Sequence, residues 1–405
     1  MRDTLAIVGG GPAGMMAAIR AAETFGDGSR VVLFDKNDRL GRKIYLTGKG
    51  RCNLTNRREW EDFALHLYPD KGFLRFAFRA FSNEALIRYF EEELGVPTVI
   101  LQGQRVYPAS LVAGDVARAL ERRVRALGVD IRYGSTVGSL AELSDFGAVI
   151  IATGGKSYPV TGSTGDGYRF AQEAGHTVTM VFPSETALLP HAYDPGLPGL
   201  EMKNVGLQLY VDRALVQQEQ GDFNFTADGL ESGIAYHLSR RAVRALINGQ
   251  RVDIVLDLKP ALSEEQLVNR MKRTSPLWFS SRSQSVANRQ FRLDRESLRS
   301  FLPESLIAPF LRANPDLTIE NLPERLKHWT FRIDDYKGFE RAVVTAGGVS
   351  LKEIVPKTMA SRLRPGLFFC GEVLDLDGDT GGYNLQIAFS TGALAGVNAA
   401  KYLMQ

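Results

Sequence analysis

Leu5-Ala6-Ile7-Val8 is an apolar run long enough for one buried strand, and Gly9-Gly10-Gly11-Pro12-Ala13-Gly14 follows it directly. This gives G-x-G-x-x-G at Gly9, Gly11 and Gly14, a spacing that handles phosphate. The first glycine allows a tight turn, the second lets a pyrophosphate approach the backbone, and the third lets the next helix pack on the strand. That helix presents unpaired N–H groups and a partial positive charge at its N-terminus. A second apolar run, Val31-Val32-Leu33-Phe34, ends in Asp35. It lies about 20 residues beyond the last glycine, where a carboxylate accepts hydrogen bonds from both hydroxyls of an adenosine ribose. With 40 glycines in 405 residues the glycine pattern also arises by chance; the strand before it, the helix after it and the acid beyond it give it meaning. The unit predicts a bound dinucleotide and leaves FAD, NAD and NADP open, with Asp35 arguing against a 2′-phosphate.

Gly41-Arg42-Lys43 leads into Thr47-Gly48-Lys49-Gly50-Arg51-Cys52-Asn53-Leu54-Thr55-Asn56, which is glycine-rich, basic and without periodicity. Such a loop supplies backbone N–H groups and guanidinium to a pyrophosphate or flavin edge. Cys52 has two open readings, contact with a ligand or a buried inert thiol; Cys370 lies in an apolar run and reads as structural. Two cysteines without C-x-x-C spacing form neither a disulfide framework nor a dithiol redox pair. Five scattered histidines without H-x-x-x-H predict no metal site.

The elements that must position these groups follow from periodicity. Small residues Ala13, Ala17, Ala18, Ala21 and Ala22 give the first helix, to about Phe25, a side that lies close to a sheet. Helical spacing marks 83–95 and 111–127, Asp130 to Tyr133 with Val137 fits a strand, and Ala148 to Ala152 is a further buried one ending in Thr153-Gly154-Gly155. Thr161 to Gly167 opens another helix. Beyond about residue 190 the texture changes. Gly206 to Val216, Asp222 to Thr226 and Val252 to Leu256 read as strands, Ser232 to Ile247 as a helix, and 263–327 carries helical spacing. Between Lys259 and Arg299 nine Lys/Arg face four Asp/Glu. That is either a nucleic-acid or phosphate face or, more commonly, a solvated helical face. The tail returns to strand, paired glycines and helix at Val343 to Val349, Gly366 to Asp375 and Gly381 to Ala400.

The expected fold is α/β, a discontinuous Rossmann-like domain (1–190 and 343–405). Into it is inserted a β-barrel-like domain (191–258 and 328–342), which carries a helical subdomain (259–327). Composition is ordinary for a globular protein, 44% hydrophobic and 23% charged. A net charge of +3 is too balanced to imply a stable nucleic-acid partner or an acidic membrane surface. No apolar run reaches a membrane span, and the first strand starts too early for a targeting peptide, so a reduced cytoplasmic protein is expected. The oligomeric state is left open.

Four further words stand in order behind the opening fingerprint: Gly48-Lys-Gly-Arg-Cys-Asn-Leu-Thr-Asn56, Ala152-Thr-Gly-Gly155, Gly371-Glu-Val-Leu-Asp375 and Thr380-Gly-Gly-Tyr-Asn-Leu-Gln386. On these the chain resembles, over essentially its full length, the bacterial flavoproteins of the YhiN/BaiN type, also labelled aminoacetone-oxidase-like FAD enzymes. The resemblance implies non-covalent FAD. It implies that Gly9, Gly11, Pro12, Ala13 and Gly14 hold the pyrophosphate, with Asp35 and Lys36 flanking the adenosine ribose. Arg42, Lys43, Gly50, Arg51, Cys52 and Asn53 would line the phosphate and flavin side, Val137 the adenine, and Ala152, Thr153 and Gly154 the nucleotide. Gly371, Glu372 and Asp375 would address the ribityl and phosphate region. Gly382, Tyr383, Asn384 and Gln386 would set a helix N-terminus at the pyrimidine edge of the isoalloxazine, where reduction places negative charge.

Bound FAD makes an FAD-dependent oxidoreductase the first expectation, acting on a small-molecule substrate. No second strand–G-x-G-x-x-G–helix unit holds a resident NAD(P)H, so a nicotinamide would only visit as a transient electron donor. Three classes stay open: an NAD(P)H-linked reductase of an activated C=C or C=O, an oxidase of a small amine or amino ketone releasing peroxide, and a non-catalytic flavin-carrying or RNA-associated protein. Tyr158, Arg332, Tyr336 and Tyr383 are candidate substrate anchors. No residue is assigned as catalytic acid or base.

Overall fold

A computed structural model of the chain describes residues 3–274, 293 and 295–405. The first stretch forms β1 (Leu5–Val8), α1 (Pro12–Phe25), β2 (Val31–Phe34), α2 (Ala113–Ala126), β3 (Asp130–Arg132) and β4 (Ala148–Ile151). The middle forms β5 (Leu188–Pro190), β6 (Glu201–Val211), β7 (Ala214–Thr226), β8 (Gly229–Glu231), α3 (Gly233–Ile247), β9 (Val252–Asp257) and β10 (Trp329–Tyr336). The last stretch adds β11 (Leu367–Phe369) and α4 (Tyr383–Leu403). Contacts divide these into two units, one running to Ser184 and resuming at Phe339, the other Glu185–Gly338.

In the first unit β11, β4, β1, β2 and β3 lie side by side in that order, all parallel. β1 and β2 are buried at every residue. A strand covered on both faces needs apolar residues throughout, which is why these runs do not alternate. α1 and α4 cover the sheet as a close pair. A Cβ on Gly392 or Gly396 would come within 2.3 Å of the Ala13 or Ala17 carbonyl oxygen, so only glycine lets the two backbones meet. Gly396→Val is therefore expected to cost about 3 kcal/mol by overpacking. A urea midpoint equal to wild type would show that the helices separate at no cost.

Several elements differ from the periodicity reading. Helix 83–95 is α-helical only over Asn83–Arg88 and widens into a π-helical turn at Tyr89–Glu93. α2 starts at Ala113, because Leu111 has φ 55° and Val112 is extended. Val137 lies outside β3, which ends at Arg132. Short antiparallel pairings too brief to carry a period complete the unit: Thr55–Asn56 with Arg105–Pro108 and Thr98–Leu101, Leu67–Tyr68 with Asp377–Gly378, and Phe182–Ser184 with Val344–Ala346.

The second unit is a closed antiparallel barrel in the order β5-β8-β7-β6-β9-β10, with β10 pairing back to β5. The single strand expected over Gly206 to Val216 is instead the hairpin β6–β7. Its turn residues Asp212 and Arg213 have φ 48° and 69°, a conformation usually signalled by glycine or asparagine. α3 is capped by Ser232, whose Oγ accepts from the Ala235 N–H at 3.1 Å. Helices Glu264–Thr274, Arg295–Leu298, Glu304–Ala313 and Leu322–Lys327 follow between β9 and β10. Much of the basic run Lys259 to Arg299 lies outside the described residues.

Candidate functional site

The three fingerprint glycines play three different parts. Gly9 has φ +107°, and a Cβ there would meet the Ala152 carbonyl oxygen at 2.5 Å. Gly14 would put its Cβ 1.8 Å from the Gly9 carbonyl oxygen, so helix and turn touch only without a side chain. Gly11, the residue that caps α1, has nothing within 4 Å of a built Cβ. Its open side faces a helix N-terminus whose first N–H groups have no partner within the helix. A pyrophosphate fits there.

Asp35 is buried, and protein donors already bind its carboxylate. Gly10 N–H donates to Oδ2 at 2.7 Å, and the Asn37 N–H and Nδ2 donate to Oδ1 at 2.8 and 2.9 Å. The carboxylate thus buckles the glycine turn to the end of β2, a role that a ribose contact alone does not foresee. Arg42 donates from Nη1 to Asn37 Oδ1 at 2.8 Å. Lys36 is likewise held by protein, its Nζ 2.6 Å from Asp166 Oδ2 and 2.5 Å from Thr164 Oγ1. Its ammonium lowers the Asp166 carboxyl pKa together with the Thr164 hydroxyl, against the opposing effect of burial.

The loop after Gly41 folds as a run of left-handed residues, Gly48, Lys49, Gly50 and Cys52, with φ between 57° and 83°. Arg51 crosses the Tyr107 ring at 5.2 Å. Asn53 is buried, and its Oδ1 has no hydrogen-bond partner in the protein. Two more buried orphans, Thr153 Oγ1 and the Tyr168 hydroxyl, lie just beyond β4 and in the helix Asp166–Glu173. Buried polar atoms in folded proteins are nearly always bonded, so these exceptions suit a polar ligand lying across the carboxyl ends of the strands.

Burial pushes the Cys52 thiol up to about 12, so it is protonated and supplies no nucleophile at neutral pH. Cys370 is fully buried as well, and burial raises its thiol too. The native protein should therefore yield no reactive thiol to a disulfide reagent such as DTNB, and two after unfolding in denaturant. Rapid native labelling of one thiol would contradict the buried placement.

Glu372 joins three segments. Its carboxylate accepts from Lys43 Nζ at 2.8 Å, Ser157 Oγ at 3.0 Å and the Thr345 N–H at 2.9 Å. Lys43 Nζ also donates to Ser157 Oγ at 2.5 Å, and Thr345 Oγ1 accepts from the N–H groups of Lys156 and Ser157 at 2.9 and 3.0 Å. Sequence reasoning found Lys43 and Glu372 but missed Ser157 and Thr345. Their only signal was a place beside the glycine pairs at 154–155 and 347–348. Gly371 packs on the first turn of α1, since a Cβ there would meet Ala13 Cβ at 2.7 Å, and its N–H donates to Thr391 Oγ1 at 2.9 Å. Burial raises the Tyr168 phenol, and the carboxylates of Glu372 and Asp375 raise it further.

At the start of α4, Gly382 has φ +103° and lies against the Thr55 backbone, where a Cβ would come within 2.3 Å. The side chains after it bind protein. Asn384 pairs with Gly378, accepting from its N–H at 2.9 Å and donating to its carbonyl at 2.7 Å. Gln386 is fully buried and donates from Nε2 to the Phe81 carbonyl at 3.0 Å. Besides the backbone N–H groups of this turn, the Gln386 Oε1 is left buried without a hydrogen-bond partner. Tyr383 is buried between Phe63 and His66, with ring centroids 4.8 and 4.4 Å away. Val137 is buried, and Ala152 donates its N–H to the Val8 carbonyl at 2.9 Å. Of the other candidate anchors, the Tyr158 N–H donates to the Phe339 carbonyl at 2.8 Å. Arg332 and Tyr336 belong to the barrel unit. Arg332 is exposed and paired with Asp334 at 3.1 Å, while burial raises the Tyr336 phenol.

Among the described residues no group of His, Cys, Asp and Glu could hold a metal ion, and no helix is long and apolar enough to cross a membrane. A family model described as the HI0933-like protein Rossmann domain matches residues 3–398. The chain is 31% identical to the 3-dehydro-bile acid delta(4,6)-reductase of Clostridium scindens, with 98% of this chain and 99% of that protein covered. It is 28% identical to the ribosomal RNA dihydrouridine synthase of Haemophilus influenzae, with 95% of each covered. Among solved structures, the 3-ketosteroid-delta4-(5alpha)-dehydrogenase of Rhodococcus jostii superposes with a TM-score of 0.48 at 14% identity, covering 98% of this chain and 96% of that one. A family match over nearly the whole chain, meeting an open glycine cradle at a helix N-terminus, makes this protein a member of the HI0933-like family and an FAD-dependent oxidoreductase.

Proposed function

We propose that the protein reduces a C=C bond conjugated to a carbonyl in a small molecule, drawing its electrons from NADH or NADPH. The observation that carries this reading is the relative at 31% identity, whose name describes reduction of carbon–carbon double bonds in a 3-dehydro-bile acid. FAD, when bound, supplies the two-electron chemistry; the protein binds and orients it. Gly9 to Gly14 and the first turn of α1 hold the pyrophosphate, with Asp35 bracing that loop through Gly10 and Arg42 holding the Asn37 that donates to Asp35. Asn53, Thr153 and Tyr168 offer their free buried polar atoms to the cofactor. The first turn of α4 directs N–H groups and a partial positive charge to the flavin edge that becomes negative on reduction. With both thiols buried and protonated, no dithiol relay stands between nicotinamide and flavin.

A second reading keeps the chemistry and changes the substrate. Forming dihydrouridine also saturates a C=C bond conjugated to a carbonyl, so the relative of Haemophilus influenzae favours a uridine in ribosomal RNA. The decisive experiment mixes the FAD-loaded protein anaerobically with NADH and with NADPH, then adds a 4,6-dien-3-one steroid or uridine-containing ribosomal RNA. Flavin bleaching by a nicotinamide and reoxidation by the dienone support the first reading. Reoxidation by RNA alone, with dihydrouridine formed, supports the second. A flavin that neither nicotinamide reduces would overturn both as stated.

A further inference from the structure

The short helix Ala64–His66 ends where Leu67–Tyr68 pairs with Asp377–Gly378, and this pairing brings His66 to Asp379. His66 Nδ1 lies 2.8 Å from Asp379 Oδ2, and the Asp379 N–H donates to the His66 carbonyl at 3.0 Å. The imidazole stacks on Tyr383 at 4.4 Å with 23° between the planes. The dyad is held from three sides. Asn384 fixes Gly378 through both its backbone groups, Phe63 backs the Tyr383 ring, and Tyr383 itself opens α4. A carboxylate on Nδ1 selects the tautomer with the proton there and leaves Nε2 as the working nitrogen. The charged groups nearby are Asp379 on His66 itself, and Arg58, Asp62 and Arg105 around Tyr383.

The place of the dyad is what gives it a use. Asp379 lies in the segment that leaves the carboxyl end of β11 and enters α4, the edge of an open parallel sheet where ligands bind. α4 crosses α1 at Gly392 on Ala13, beside the glycine cradle. Tyr383 stands nine residues before that crossing, about 14 Å along the helix, a distance that the ribityl chain and ring system of FAD can cover. His66 keeps 26% of its side chain exposed and Asp379 13%, so the imidazole is open where the carboxylate is shielded.

We propose that His66, oriented by Asp379, is the catalytic acid that protonates the substrate's α-carbon; this rests on the reading of the protein as a conjugated C=C reductase. In that reaction the π bond breaks, and reduced FAD gives up two electrons with the hydrogen that forms the β C–H bond. The α C–H bond takes its proton from Nε2–H of the imidazolium, which ends neutral and is reprotonated by water. Asp379 is a positioning residue.

The test uses chemically reduced, FAD-loaded protein mixed anaerobically with a 4,6-dien-3-one steroid and, separately, with ferricyanide, which takes electrons without forming a C–H bond. With His66→Gln, reoxidation by the dienone should slow about 100-fold or more, and with Asp379→Asn about 10-fold, while reoxidation by ferricyanide and FAD content stay at wild-type values. In 15N spectra of the histidines, taken on the oxidised protein at a pH where the ring is neutral, the resonance lost in His66→Gln should report an Nδ1–H tautomer in wild type, with Nε2 bare to take from water the proton it later donates, and Asp379→Asn should shift it toward Nε2–H. Wild-type dienone rates in His66→Gln would overturn the proposal, as would an Nε2–H tautomer in wild type. Equal losses with dienone and ferricyanide would overturn it in favour of a structural pair. A wild-type flavin that no dienone reoxidises would overturn the reductase reading itself.

Discussion

Gly11→Val should yield a folded apoprotein that no longer retains FAD. The two halves of that expectation have separate causes. Gly11 has ordinary extended backbone and nothing within 4 Å of its Cβ position, so the side chain meets no protein atom and the apoprotein loses little stability. The same open space is where we propose that a pyrophosphate comes against the N–H groups of α1, and three added carbons would occupy it. Affinity should fall at least about 100-fold, or about 2.8 kcal/mol. The visible flavin absorbance of the purified protein would read the loss, and the melting temperature of the apo form would read the fold. Gly14→Ala makes the contrast. Its Cβ would sit 1.8 Å from the Gly9 carbonyl oxygen, so helix and turn must part, and both stability and FAD should be lost. A Gly11→Val protein that keeps stoichiometric FAD would move the pyrophosphate elsewhere.

Glu372→Ala should cost about 2 kcal/mol of stability and loosen the cofactor as well. It removes the acceptor for Lys43, Ser157 and the Thr345 N–H together. A fully buried pair broken at one partner costs about 3–5 kcal/mol. Here the two charged side chains keep 20% and 22% of their surface, so water takes up part of the loss. The effect on FAD comes through geometry, since the carboxylate ties the Lys43 loop, the turn after β4 and the strand at Thr345 to one point. Lys43→Met should cost less, because the acceptor remains for Ser157 and Thr345. Urea unfolding of both variants and their double mutant measures the coupling. Additive effects would show that lysine and glutamate act independently, against the contact at 2.8 Å.

Local chemistry makes the opening strand, turn and helix legible in the residues alone. A buried parallel strand must be apolar throughout, a turn at φ +107° requires glycine, and a helix packed on that turn requires a second glycine. All three demands fall on consecutive residues, so Leu5 to Gly14 states its own fold. The small residues of α1 and α4 announce close packing for the same reason. The hairpin at Asp212-Arg213 stays hidden because its left-handed residues are not the glycine or asparagine that usually mark such a turn. The pairing of Leu67–Tyr68 with Asp377–Gly378 stays hidden because two residues carry no period.

The amino-acid sequence by itself determined the strand, glycine turn and helix that open the chain and the parallel sheet they enter. Each of these rests on residue type or spacing within a few turns of chain. The tertiary structure alone decided which partners the polar side chains take. Asp35 closes on Gly10, while Glu372 meets Lys43 and His66 meets Asp379, each across more than 300 residues of chain. A carboxylate in a sequence shows its charge but not its donor. That choice is made only when the sheet brings distant loops to the same edge.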